Sequence, residues 1–80
     1  METRVAIIGI IVEDRGYAGM VNEILHEYAD CIIGRMGLPY KQRNMSIISV
    51  VVDAPHDVIS ALSGKLGRIN GVSSKTLYSK

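Results

Sequence analysis

Two stretches of the chain repeat one another, and that repetition constrains the fold more than any other feature. Ala6-Ile7-Ile8-Gly9-Ile10-Ile11-Val12-Glu13 lies without a gap over Ser46-Ile47-Ile48-Ser49-Val50-Val51-Val52-Asp53. Isoleucine faces isoleucine twice, the following apolar positions match in kind, and both runs end on a carboxylate. Such short, β-branched runs suit strands and not helices. After the first run a turn at Asp14-Arg15-Gly16 leads to Met20, Val21, Ile24, Leu25 and Tyr28, spaced as one face of a helix. After the second, Asp53 is a candidate N-cap and Pro55 suits the first turn, and Val58, Ile59, Leu62 and Leu66 repeat the stripe. Gly71 is expected to stop that helix. Each helix feeds a further extended stretch, Cys31 to Leu38 and Val72 to Tyr78, and the polar segment Pro39 to Asn44 is expected to join the halves as a hairpin.

The order is therefore β-α-β-β-α-β, the split βαβ or ferredoxin-like arrangement of the α+β class. It predicts a four-stranded antiparallel sheet with two helices on one face, strands one and three central and strands two and four at the edges. The runs Val5 to Val12 and Met45 to Val52 are the most apolar. The other two carry Arg35, Ser73, Ser74 and Lys75, as edge strands tend to. With 80 residues the whole of 1–80 is read as one domain.

The alternation within the central strands leaves a surplus. Ala6, Ile8, Ile10 and Val12 point one way, matched by Ile48, Val50 and Val52. Val5, Ile7, Gly9 and Ile11 point the other way, matched by Ile47, Ser49 and Val51. Both sets are apolar, yet two helices cover only one face of the sheet. A chain this short buries only about 60% of its surface alone, and 48% of its residues are apolar. The second face demands a partner, so a homo-oligomer, dimer or tetramer, is expected. Gly9 and Ser49, small and equivalently placed, would admit a close approach to that face.

Charge narrows the function classes. The net charge is +1, and four tyrosines are the only aromatics apart from histidine. That leaves neither a global basic field nor many stacking platforms, so direct nucleic-acid binding is not expected. Arg35, Lys41 and Arg43 form a local basic cluster, read as the solvated tip of a hairpin. The lone Cys31 excludes an intramolecular disulfide framework. No apolar run approaches the roughly 18 residues of a membrane span, and no signal-peptide pattern is found. The expectation is a soluble cytoplasmic protein.

Candidates for chemistry are few. His26, Cys31 and His56 are metal-competent, but they form no local His-x-x-x-His or Cys-x-x-Cys spacing, so only folding or assembly would unite them. Cys31 with a histidine lacks a visible orienting group or oxyanion hole. Gly34-Arg35-Met36-Gly37 lacks the Gly-Lys-Ser/Thr ending of a phosphate loop, and its glycines are better read as a bulge or a close backbone approach. A non-enzymatic role is expected, and no cofactor is assigned.

The first strand–helix loop is the stronger ligand candidate. Asp14, Arg15, Gly16 and Tyr17 combine a flexible turn, helix N-terminal amides and a guanidinium, which together suit a small acidic group. The loop resembles that of ACT domains, whose Asp-Arg-Pro-Gly pattern lies where small effectors bind between protomers. Here the proline is absent and Gly16 falls one position early.

Nearly the whole chain carries a closer resemblance. Asn22-Glu23-Ile24-Leu25-His26-Glu27-Tyr28, Ile33-Gly34-Arg35-Met36-Gly37-Leu38-Pro39-Tyr40, Asp57 through Gly67 and the ending Gly71 through Lys80 are similar to the family of regulators of the iron-only hydrogenase system. That resemblance implies an ACT-like ferredoxin fold, related to the C-terminal domain of nickel-responsive repressors, and a regulatory role. It transfers no ligand-contact residue. The DNA-binding domain of a one-chain repressor has no counterpart in this sequence. The sequence thus predicts an oligomeric regulatory module that senses a small ligand, with a metal-responsive module or a purely structural oligomerisation protein as alternatives.

Overall fold

In the computed structural model, which describes residues 2–80, strand β1 (Arg4–Val12) is followed by helix α1 (Ala18–Glu27) and strand β2 (Ile32–Tyr40). Strand β3 (Met45–Ala54), helix α2 (His56–Gly67) and strand β4 (Val72–Tyr78) complete the second half. The sheet runs β2-β3-β1-β4 with every neighbouring pair antiparallel. This is the ferredoxin-like α+β arrangement that the duplicated pattern predicts, with the two most apolar strands at its centre.

Alternation decides which side chains meet the helices. Ala6, Ile8, Ile10 and Val12 are at most 1% exposed, whereas Val5, Ile7 and Ile11 are 41%, 44% and 42% exposed. On β3, Ile48, Val50, Val52 and Ala54 join the buried set. Val21 and Leu25 from α1, Ile59, Leu62 and Leu66 from α2, and Ile69 close this core from above. Both helices therefore lie on one face. Full burial of each such side chain stabilises the fold by about 1.5–3 kcal/mol relative to exposure. The helices are also tied by Lys65 Nζ, 3.3 Å from Glu27 Oε1, and by the Lys65 ammonium lying 5.1 Å over the Tyr28 ring. Tyr28 and Glu27 raise the Lys65 pKa above its ordinary value, but the pair is exposed and contributes little to stability.

Several boundaries differ from the sequence expectation. Asp53 does not cap α2, because β3 extends through Ala54 and Asp53 is paired with Val5. Pro55 occupies the cap position instead, and its carbonyl accepts from the Val58 and Ile59 amides. Gly71 does not end α2 either. The helix stops at Gly67, and Gly71, at φ 77°, makes the left-handed turn into β4 that a residue with a Cβ adopts only with strain. Strand β2 begins one residue later than expected, at Ile32, and runs through Pro39 and Tyr40. The connection is thus shortened to a single 3-10 turn, Lys41–Arg43, closed by Asn44 in the left-handed region, where asparagine is tolerated. A bulge does occur beside Gly34: Ile32 pairs with Val52 and Gly34 with Val51, so Ile33 is the extra residue.

Candidate functional site

The strand–helix loop is built as a junction. The Asp14 carboxylate accepts the Gly16 amide at 2.9 Å and lies 3.5 Å from Asn44 Nδ2. The Tyr17 amide donates to Asp14 O, and the Arg15 amide donates to Asn44 O at 3.2 Å. Asp14 thereby caps a short 3-10 turn, Arg15–Tyr17, and that turn is stitched to the β2–β3 connection. Tyr17 packs against the core, while Arg15 is exposed, its guanidinium in no ion pair or hydrogen bond among the described residues. In this loop the Asp14 carboxylate is engaged by the Gly16 amide, while the Arg15 guanidinium is left exposed.

The metal-competent residues stay apart. His26 is exposed in the last turn of α1, and Cys31 packs partly buried against the core after that helix. His56 opens α2 and stacks on Tyr78, ring centroids 5.2 Å apart and nearly parallel. Among the described residues no group of three His, Cys, Asp or Glu side chains lies close enough to hold a metal ion.

The outer face of the sheet is the largest unexplained surface. Strand register arranges it in rows across the four strands. One row reads Gly34, Val51, Ile7, Leu77; the next Met36, Ser49, Gly9, Lys75; the third Leu38, Ile47, Ile11, Ser73. Met36, Leu38 and Leu77 are 68%, 55% and 69% exposed, large apolar side chains lying beside further apolar ones. Val5, Ile7, Gly9, Ile11, Ile47, Ser49 and Val51 all belong to this face, as the alternation requires. The sequence reading stopped at the central strands and missed the contributions of Met36, Leu38, Tyr40 and Leu77. Their spacing of two along β2 was a usable signal, obscured by the glycines, proline and arginine between them.

The centre of this face is hollow. A groove of about 340 Å³ runs between Gly9, Ile11, Ile47, Ser49, Ser73 and Lys75, and a shallower one of about 160 Å³ lies beside Val5, Ile7 and Leu77. A Cβ added at Gly9 would meet nothing within 4 Å. No helix among the described residues is long and apolar enough to cross a membrane.

Comparison with known proteins bears on this architecture. Residues 4–76 match the TM1266-like family model, described as "Iron-only hydrogenase system regulator, putative". The structure of the uncharacterized protein TM1266 from Thermotoga maritima is 48% identical in sequence and superposes with a TM-score of 0.93, covering 99% of this chain and 100% of that one. An unknown protein from Galdieria sulphuraria shares the fold at 17% identity and a TM-score of 0.66, over 99% of this chain and 46% of its own. CPII from Thiomonas intermedia K12, in a structure bound to ADP, AMP and acetate, shares it at 14% identity and a TM-score of 0.51, over 100% and 93% of the two chains. No curated protein matches the chain.

Proposed function

The chain belongs to the TM1266-like family, whose model is described as "Iron-only hydrogenase system regulator, putative", and on that premise we propose that it is a non-enzymatic regulatory module that works as a homo-oligomer and senses a small ligand. The outer sheet face carries this reading. Ile7, Ile11, Ile47, Met36, Leu38 and Leu77 are large, apolar and exposed on one surface, opposite a core that is already complete. Exposed apolar side chains gathered on one face mark an interaction surface. A second copy offers the same face, so the contact is self-complementary and closes as a symmetric pair.

Assembly would give a regulator two things that the isolated chain lacks: a covered sheet and sites shared between copies. The Asp14–Tyr17 loop, with the Arg15 guanidinium free of a partner among the described residues, is one place for an acidic effector. Such an effector stabilises the folded, assembled form by mass action. The test is thermal-shift screening of amino acids, nucleotides and small carboxylates against the wild type and Arg15→Ala. A rise in melting temperature that Arg15→Ala diminishes supports a sensor with its site in this loop. A rise indifferent to Arg15 moves the site elsewhere, and no rise with any of these compounds favours a structural oligomerisation role.

A further inference from the structure

The groove at the middle of the outer face has features that assembly alone does not explain. Gly9 sits mid-strand in β1, paired on both sides, and its φ is not positive. A side chain there would point into open space. Neither backbone conformation nor packing within this chain calls for glycine, and glycine weakens a strand interior; it marks a place where another group approaches closely. Its neighbours across the register are Ser49 and Lys75, and Ser73 lies one row on, so the hollow is bounded by the Ser49 and Ser73 hydroxyls and one ammonium. Its volume of about 340 Å³ lies within the range of small-molecule sites.

Lys75 carries the argument further. It is exposed, and it makes no hydrogen bond or ion pair among the described residues. The three rows around it contain no carboxylate. The acids in line with this face are Asp53, opposite Val5, and Glu13, which follows Ile11 in the alternation of β1 and whose amide donates to Gly71 O; each lies two rows from Gly9. A second copy laid over the sheet would strip water from the Lys75 ammonium and offer it apolar neighbours, which is costly unless an anion is supplied.

We infer that the groove binds a small organic anion with a compact apolar body, enclosed between this sheet and that of a second copy. The apolar body rests on Gly9, Ile11 and Ile47, and the anionic group meets Lys75 Nζ beside the Ser73 hydroxyl. This rests on the assembly reading above, because it is the covering sheet that makes the unpaired ammonium costly.

Hexanoate and its neutral counterpart hexanamide separate the terms. In titrations of the full chain followed by amide chemical shifts, both are expected to perturb Gly9, Ser49 and Ser73. Hexanoate should bind roughly tenfold more tightly, because charge assistance strengthens the hydrogen bond. Lys75→Gln should remove that preference while sparing hexanamide, and Gly9→Val should block both by filling the hollow. Equal binding of the two compounds, or no perturbation by millimolar hexanoate, overturns the proposal. So does an Asp53→Asn or Glu13→Gln variant that weakens assembly of the ligand-free protein as much as Lys75→Gln does, since Lys75 would then be paired with the second copy's carboxylate. Light scattering on the same samples keeps the two readings apart. A monomer that binds hexanoate through Lys75 retains the site and defeats the assembly, whereas an oligomer indifferent to hexanoate does the reverse.

Discussion

Gly9 and Ser49 are register partners across β1 and β3, and they are also equivalent positions of the two repeated runs. The pairing is antiparallel, so only at this pair do repeat and register coincide. The approximate two-fold axis relating the β-α-β halves therefore passes between these residues. Both are small, so the sheet is hollow at its own symmetry centre, and the apolar side chains of Ile7, Ile11, Ile47 and Val51 stand around that point.

The two faces of β1 should respond differently to truncation. Ile8→Ala opens a cavity in a closed core and is expected to destabilise the fold by about 2–5 kcal/mol, measured by urea denaturation. Ile7→Ala, one residue away on the other face, should leave the unfolding of a dissociated monomer nearly unchanged and lower only the affinity between copies. A loss at Ile7 equal to that at Ile8 in the monomer would mean that the outer face packs within its own chain.

A charge on the outer face should separate the copies without unfolding them. Ile7→Lys and Val51→Lys each put an unpaired ammonium in the proposed interface, where its burial costs about 3–5 kcal/mol. Sedimentation should show dissociation, and circular dichroism should show the α+β content retained. Variants that sediment like the wild type would move the interface to another surface.

The strand–helix loop should divide into a structural and a functional residue. Asp14→Ala removes the acceptor of the Gly16 amide and should cost about 0.5–2 kcal/mol, as loss of a cap does. Arg15→Ala should leave thermal unfolding and oligomer size unchanged, and alter only the response to acidic ligands.

Among the described residues no three His, Cys, Asp or Glu side chains lie close enough to hold a metal ion, so nickel, zinc or iron retained in equilibrium dialysis is expected between copies, held by His26, Cys31 or His56. Retention should then vanish in the dissociated Ile7→Lys variant and in the triple replacement of these residues. Metal held by the monomeric variant would show a ligand set within one chain.

The fold was legible because its signals were periodic: alternation placed Ala6, Ile8, Ile10 and Val12 in the core, and the helical stripe placed Val21, Leu25, Ile59, Leu62 and Leu66 above them. Local chemistry read less well where strand pairing outweighed it. Asp53 has a capping side chain, but pairing with Val5 holds it in β3, and Gly71 serves the turn into β4 instead of the helix end. The groove was out of reach for a different reason. It depends on Lys75 lying opposite Gly9, a register between β1 and β4 that residue spacing along the chain does not specify.

Light scattering of the wild-type protein at micromolar concentration, with native mass spectrometry of material purified without chelator, tests the central claim most directly. The account predicts an integral multiple of the 8.7 kDa chain mass, stable on dilution through the micromolar range. A monodisperse species of 8.7 kDa would contradict it, because the outer face of the sheet would then stand bare in water.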